Sequence, residues 1–134
     1  MPTPSPAPDS LLVVCLCAAW CHVCEQYRST FDQVQASVQA DYPQVSFVWL
    51  DIEDESEVLD PLDVENFPTI LMSLGRAPRF FGTITPQPQT LERLVRMALQ
   101  DPTATPLADP AVSALVARVE AWRRQTRHPS TTPA

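Results

Sequence analysis

An unbroken apolar run from Leu11 to Cys17 constrains the fold of this chain more than any other feature. Every residue in the run is aliphatic or a cysteine. A strand that is apolar at every position, and not only at alternate positions, is typical of the centre of a sheet that is covered on both faces. We therefore expect a central parallel strand here, with helices on both sides of the sheet.

A helix and a second strand follow this run in the order of a parallel crossover. Apolar residues recur at spacings of three and four and predict a helix that begins at Cys21 and ends near Ala40. The mostly apolar stretch from Val45 to Asp51 predicts the second strand, so strand, helix and strand form a right-handed parallel unit. The side chains expected on the inner face of the helix are Val23, Tyr27, Phe31, Val34 and Val38.

The middle of the chain predicts a short helix, a hairpin and a longer helix. The acidic stretch 55–65 fits a short exposed helix with a few apolar side chains on its buried side. The stretches 69–74 and 79–82 flank a turn that contains Gly and Pro, which predicts an antiparallel hairpin. The stretch 88–100 predicts a helix that packs on the sheet. The buried side of the short acidic helix is expected to consist of Val58, Leu62 and Val64.

The remainder of the chain divides into tails, a linker and a last helix. Residues 1–9 are rich in proline and predict a disordered tail, because they hold little apolar surface to bury. Residues 10–101 form the predicted domain, and residues 102–109 a linker. The stretch 110–127 opens with proline and predicts a C-terminal amphipathic helix, followed by a tail at 128–134. The apolar stripe of this helix consists of Val112, Leu115, Val116, Val119 and Trp122.

The charge of the chain argues against nucleic acid as a partner. The formal net charge is −7, and eight of the sixteen acidic residues lie between Asp51 and Glu65, where no basic residue occurs. A phosphate backbone would be repelled by such a segment. The segment is most simply a solvated face, although it also has the charge to dock a partner or to hold the basic last helix.

The four cysteines form a local cluster and not a set of structural bridges. They are Cys15, Cys17, Cys21 and Cys24, whereas a secreted scaffold would spread its cysteines so that they tie distant segments together. No basic residue precedes the apolar run, and the run is too short to cross a bilayer. We therefore expect a cytoplasmic, monomeric protein with no membrane association.

Cys21 and Cys24 lie one helical turn apart, where the long helix is expected to begin. The free N–H groups and the positive end of the helix dipole favour a thiolate at that point. We predict that Cys21 attacks a disulfide, and that Cys24 then displaces the product.

Three short motifs together resemble the thioredoxin family. The sequence AAWCHVC at residues 18–24 looks like the WCxxC active site of that family. The sequence NFPT at residues 66–69 resembles its cis-proline loop, and Phe81-Gly82 resembles the glycine that follows its last strand. The similarity extends from about residue 10 to residue 100.

This resemblance implies an α/β thioredoxin fold with a central mixed four-stranded sheet flanked by helices. It implies a version trimmed at the N-terminus, with an extra C-terminal helix. It also implies a cis peptide bond before Pro68 and a substrate-binding surface made by Trp20, Phe67, Pro68 and Thr69, in which the backbone of Phe67 pairs with an extended substrate segment.

Two departures from the family pattern concern proton transfer. In the family register a buried acid falls on Cys15 and its lysine partner falls on Trp49, while a second tryptophan is replaced by Cys17. The resolving thiol of Cys24 therefore lacks its usual base, which argues against efficient general reductase activity.

His22 lies next to the predicted nucleophile and is expected to tune it. Its protonated form would stabilise a neighbouring thiolate, and we expect a redox potential less negative than the thioredoxin value of about −270 mV. The alternative is an exposed histidine without influence, because exposed charges interact weakly.

Cys15 and Cys17 share one face of the first strand, by the two-residue period of a strand. In the family register this face points at the active site, so the two thiols either exchange with Cys21 and Cys24 or are simply small buried side chains. The second interpretation is the simpler one. No metal site is predicted, because a Cys-x-Cys pair on a strand does not easily chelate one ion together with a helical CxxC.

We therefore predict a thiol–disulfide oxidoreductase that exchanges disulfides with protein substrates through Cys21 and Cys24. An unidentified reductase or thiol reductant would recharge it, and no cofactor is required. The alternative is a non-catalytic thioredoxin-like module that binds proteins, in which the altered relay reflects lost catalysis.

Overall fold

The protein folds as a four-stranded sheet with helices on both faces. The structure is a computed structural model, and it describes the backbone of residues 11–18, 20–62, 64–101 and 103–131 and the side chains as far as residue 125. The predicted tail at 1–9 lies outside the described residues. The elements are β1 (Leu11–Cys17), α1 (His22–Asp41), β2 (Ser46–Asp51), α2 (Ser56–Leu59), β3 (Thr69–Leu74), β4 (Ala77–Thr83), α3 (Pro88–Gln100) and α4 (Pro110–Thr131).

The sheet is mixed, and its strand order is β2-β1-β3-β4. Strand β1 runs parallel to β2 and antiparallel to β3, and β3 runs antiparallel to β4. The prediction of a mixed four-stranded sheet with β1 at its centre is confirmed. The carboxyl end of β1 therefore lies in the middle of the sheet edge at which α1 begins.

Both faces of β1 are buried, which explains why its sequence is apolar at every position. The odd-numbered residues 11–17 pack in a core with α1 and α3, and the even-numbered residues 12–16 pack in a second core with α4. Each of these residues is at most 2% exposed. The two cores depend on different helices, and the odd-numbered face carries both cysteines of the strand.

Helix α1 begins one residue later than predicted, and its inner face differs at one position. Val23 is 41% exposed, so its predicted inward orientation is wrong, and Cys24 takes that place with 1% exposure. Positions 24, 27 and 31 keep the spacing of three and four that a buried face requires, and only one of two adjacent residues can lie on that face. Helix α1 is therefore rotated about its axis so that the side chain of Cys24, and not that of Val23, points into the core.

Helix α2 is much shorter than the predicted acidic helix. It covers only Ser56–Leu59, and Leu59 is its buried residue. The residue before a proline is disfavoured in helical conformation, and proline has no N–H to continue the helix, so Pro61 limits α2 at this end. The side chains predicted for the buried side, Val58, Leu62 and Val64, are partly buried against the second core.

Helix α4 covers the face of the sheet opposite α1 and α3. It extends to Thr131, beyond the predicted end at residue 127, and residues 132–134 of the predicted tail lie outside the described residues. Four residues of its predicted apolar stripe are buried, and Trp122 is partly buried. Arg118 donates hydrogen bonds to the carbonyl oxygens of Val58 and Leu59, so α4 is tied to α2 through backbone acceptors.

Two residues, Asp101 just before the predicted linker at 102–109 and Leu107 within it, are hydrogen-bonded to the edge strand β4. The N–H of Leu107 donates to the carbonyl oxygen of Pro78 at 2.9 Å, and Arg79 Nη2 donates to the carbonyl oxygen of Asp101 at 2.6 Å.

Within the described residues, no helix is both long enough and apolar enough to cross a bilayer.

Candidate functional site

Cys21 occupies the N-cap of α1. Its backbone is extended, with φ −90° and ψ 124°, and its carbonyl oxygen accepts the N–H of Glu25 at 3.0 Å. Its own N–H donates to the carbonyl oxygen of Ala18 at 3.1 Å, so the turn before the helix is held at both ends. The side chain makes no capping hydrogen bond and is a free, partly exposed thiol. A free sulfur is thus partly accessible to solvent at the positive end of a helix of 20 residues.

The predicted bond between Cys21 and Cys24 is not the bond that the structure contains. The sulfur of Cys24 forms a disulfide with Cys17, and the two Cα atoms are 5.7 Å apart. The reason is the orientation of α1, which points Cys24 inward over the end of β1, where Cys17 faces the same core. Cys21 remains free, so the predicted nucleophile is not part of the disulfide.

The end of β1 holds the sulfur of Cys24 by a second contact. The N–H of Ala18 donates to Cys24 Sγ at 3.3 Å. Ala18 directly follows Cys17, so one backbone segment supplies both the covalent partner and a hydrogen-bond donor to Cys24. A donor aimed at a sulfur also stabilises that sulfur when it carries negative charge.

Cys15 is a free thiol and is completely buried. Its sulfur lies 3.8 Å from that of Cys17 and donates a weak hydrogen bond to it. Burial raises the pKa of the Cys15 thiol well above its usual range, and the positive charge of Arg28 opposes this only in part. Cys15 therefore stays protonated at neutral pH. The interpretation as a small buried side chain describes Cys15, whereas for Cys17 it is wrong.

The positions of the family's acid and lysine hold a different group of side chains. Strand pairing places Cys15 opposite Trp49, and the guanidinium of Arg28 lies over the Trp49 ring at 4.7 Å from its centroid. An open cavity of about 500 Å³ lies beside Cys24. The residues that line this cavity are Ala18, Cys24, Glu25, Arg28, Trp49, Asp51 and Asp54. Three carboxylate side chains, Glu25, Asp51 and Asp54, therefore line the same cavity as Cys24.

The predicted substrate-binding loop lies next to the turn that carries Cys21. The peptide bond between Phe67 and Pro68 is cis, as the resemblance implied. Trp20 is 63% exposed, and its ring meets that of Phe67 edge-on. Pro68 and Thr69 are buried, and the Thr69 hydroxyl donates to the carbonyl oxygen of Asn66 at 2.7 Å. Trp20 and Phe67 therefore form the accessible part of the predicted surface, while Pro68 and Thr69 support the loop.

His22 is the first residue of α1, and its side chain is exposed next to Cys21. In the part of the chain that the structure describes, no three or more His, Cys, Asp or Glu side chains are grouped so that they could hold a metal ion. The chemistry that the described site supports is that of sulfur.

Comparison with known proteins identifies the family. The family model for thioredoxin matches residues 6–94, which is well over half of the chain and includes the cysteine cluster and the cis-proline loop. The chain belongs to the thioredoxin family. It is similar to a thioredoxin from Ictalurus punctatus, with 33% identity over 63 residues, or 47% of this chain and 57% of that protein. The match thus spans little more than half the length of that thioredoxin.

Solved structures show the same fold. Human ERp44 form I matches with a TM-score of 0.62 and 18% identity, over 73% of this chain and 26% of the ERp44 chain. The oxidised thioredoxin of Plasmodium falciparum matches with a TM-score of 0.54 and 18% identity, over 67% of this chain and 82% of that thioredoxin. These similarities establish a thioredoxin fold, and helix α4 lies beyond the part that the family model covers.

Proposed function

We propose that this protein is a thiol–disulfide oxidoreductase that acts on protein disulfides, with Cys21 as the attacking thiol. The position of Cys21 carries the proposal, because it is a free and partly exposed sulfur at the N-cap of α1. Helix N-termini favour the thiolate, which is the form that attacks disulfides. Membership of the thioredoxin family and a cysteine pair joined by a disulfide give further support.

The reaction needs the sulfurs of Cys21 and Cys24. The Cys21 thiolate attacks one sulfur of the substrate disulfide, so a mixed disulfide forms and the first substrate thiolate leaves and takes up a proton. Cys24, one turn further along α1, then attacks the sulfur of Cys21. The second substrate thiolate leaves, and the substrate has gained the two electrons that the Cys21–Cys24 pair has lost.

Trp20 and Phe67 are the side chains that we propose to contact the substrate. Their rings form an exposed apolar surface beside the nucleophile, and such a surface suits an unfolded or extended protein segment. His22 is proposed to stabilise the Cys21 thiolate by its charge, because it is exposed at the next residue. A thiol reductant or a reductase would return the protein to the reduced state.

The cellular setting is also a proposal. We propose a monomer that works in the reducing cytoplasm, because its cysteines are gathered within one site and do not link distant segments. The dense negative charge of residues 51–65 disfavours nucleic acid as a partner.

A non-catalytic binding module is a second candidate, and the Cys17–Cys24 bond is the observation that favours it. This bond occupies the sulfur that would release the substrate from Cys21. A module of this kind would use the Trp20–Phe67 surface to bind partners without exchanging disulfides with them.

Reduction of insulin disulfides in the presence of dithiothreitol separates the two functions. We expect turnover with the wild-type chain, none above background with Cys21→Ser, and near wild-type turnover with the matched control Cys15→Ala. In a parallel incubation without dithiothreitol, Cys24→Ser should accumulate a mixed disulfide with insulin through Cys21. A wild-type rate that equals the Cys21→Ser rate would overturn the proposed oxidoreductase and favour the module.

A further inference from the structure

We infer that Cys17 is a third member of the exchange site, which takes the disulfide from Cys21–Cys24 and stores it in the core as Cys17–Cys24. This inference rests on the proposed function and concerns the fate of the disulfide after the substrate has been released. The observation that carries it is that Cys24 is bonded to Cys17 while Cys21 is free. The structure thus holds the state that such a transfer produces.

The geometry gives Cys24 two sulfur partners. Cys21 precedes it by one helical turn at the start of α1, and Cys17 approaches it from the end of β1, with a Cα–Cα distance of 5.7 Å. The N–H of Ala18 donates to the sulfur of Cys24 and keeps it at the end of β1. Cys24 is therefore the shared sulfur, and the disulfide moves between an exposed partner and a buried one.

The transfer is an internal disulfide exchange in which no electrons are gained or lost overall. Cys17 attacks Cys24 Sγ, and the proton of its thiol is released in the same exchange that frees the Cys21 sulfur to accept one. The Cys17–Cys24 bond forms, the Cys21–Cys24 bond breaks, and Cys21 leaves as a thiolate that can take up a proton. The open cavity beside Cys24 borders the central sulfur of this exchange.

The placement of charge favours the buried disulfide. A disulfide is neutral, so it can lie in the core without the cost of burying a thiolate. The leaving group, Cys21, is at the helix N-terminus, where a thiolate is stabilised. The exchange therefore removes one ionisable thiol, that of Cys17, from the core and leaves the charge at the protein surface.

Cys15 is not part of this transfer. It is also buried on β1, but its sulfur neighbours Cys17 and it remains a free thiol. Cys17, and not Cys15, is the residue of β1 whose sulfur is bonded to Cys24. Cys15→Ala consequently removes a sulfur from the same strand and the same face as Cys17→Ala, and it serves as the matched control.

Storage of the disulfide in the core has two consequences for reactivity. Cys17 and Cys24 are 0% and 1% exposed, so bulky reductants do not reach their bond directly. Cys21 is free again after the transfer, and it is the thiol through which the stored disulfide returns to the surface. A chain that has already been oxidised would therefore still carry one reactive thiol.

The position of Trp20 allows the bond to be mapped. Reduced protein is treated with one equivalent of oxidised glutathione and labelled in the native state with iodoacetamide. The remaining thiols are blocked with N-ethylmaleimide after unfolding, the denaturant is removed, and the chain is digested with chymotrypsin near neutral pH. Cleavage after Trp20 separates Cys17 from Cys21 and Cys24. A Cys17–Cys24 bond then joins two peptides, whereas a Cys21–Cys24 bond lies within one.

We expect the wild-type chain and Cys15→Ala to show two joined peptides and iodoacetamide on Cys21. Cys17→Ala should show the bond within one peptide and no label on Cys21. A wild-type chain in which the bond lies within one peptide and Cys21 is unlabelled overturns the role of Cys17 and leaves the proposed oxidoreductase intact. This wild-type result is decisive even where Cys17→Ala fails to fold. Reduced protein that consumes no oxidised glutathione overturns the proposed function, and the storage step with it.

Discussion

The ring of Trp20 meets the ring of Phe67 edge-on, with centroids 5.7 Å apart and planes inclined at 85°. The contact joins the turn before α1 to the cis-proline loop, two segments that are far apart in the sequence. Phe67 also packs against the core, while Trp20 is largely exposed. The two rings thus form an apolar surface beside Cys21, in which Phe67 is held by the core and Trp20 is not.

Removal of Trp20 should weaken substrate binding more than it affects the fold. For Trp20→Ala we expect KM for a protein disulfide substrate to rise about fivefold, roughly 1 kcal/mol, because an aromatic contact surface is lost. We expect kcat to change less than KM in steady-state insulin reduction. Met97→Ala is the matched control, because Met97 is similarly exposed, at 59%, but lies on α3. An equal loss in both variants would assign the effect to general surface apolarity.

The charges on the first turn of α1 should act on the redox potential in opposite directions. His22→Gln removes a side chain that can carry a positive charge beside Cys21, so we expect a more negative potential, by about 10–20 mV for an exposed charge. Glu25→Gln removes the acidic residue of the first turn and should shift the potential the other way. Equilibration with glutathione measures both. Identical potentials in wild type and His22→Gln would leave His22 without a tuning role.

Alkaline pH should destabilise the protein through Cys15. Burial raises the pKa of this thiol in the folded state above its ordinary value of 9.0, so the unfolded state loses the proton first as pH rises. The stabilisation is therefore complete below pH 9 and declines above it, by about 1 kcal/mol between pH 9 and pH 10. Urea unfolding with excess phosphine reductant measures this decline, and wild type should lose about 1 kcal/mol more than Cys15→Ala between pH 9 and pH 10. Tyr27, whose pKa burial also raises, is present in both chains and cancels in the comparison.

The contact of α4 with the sheet should contribute strongly to stability. Leu115 is completely buried in the second core, and Leu115→Ala should lower the free energy of unfolding by about 2–4 kcal/mol. Ser113→Ala, on the exposed side of the same helix, is the control and should change it by less than about 0.5 kcal/mol. Chemical denaturation of the reduced proteins gives both values. A small effect for Leu115→Ala would show that α4 packs loosely on the sheet.

The architecture was largely predictable because its signals are local. Continuous apolarity placed β1 at the centre of the sheet, and α3 was predicted with the bounds Pro88–Gln100 that the structure shows. The acidic helix was predicted too long, because its charge pattern fits a helix while Pro61 limits one. The resemblance to thioredoxins supplied the cis bond before Pro68, which local sequence does not determine.

The sequence did not predict which cysteine is bonded to Cys24. The CxxC spacing brings Cys21 and Cys24 together along one helix, whereas the Cys17–Cys24 contact depends on how α1 is rotated over β1. One signal was present: Cys24, Tyr27 and Phe31 share a helical face, and Cys17 lies on the odd-numbered face of the strand. The prediction placed Val23 on the inner face of α1, and with Val23 inward Cys24 would not face Cys17.

Helix α4 lies outside the region that matches the thioredoxin family, yet it packs on the sheet and completes the second core. The match to thioredoxin ends at residue 94, yet the even-numbered face of β1 is covered by a helix that begins at Pro110. Shortening the chain to the matched region would bare Leu12, Val14 and Leu16 to water and invite aggregation. The segment that must be kept for a covered sheet is therefore longer than the segment that matches the family, because it includes α4.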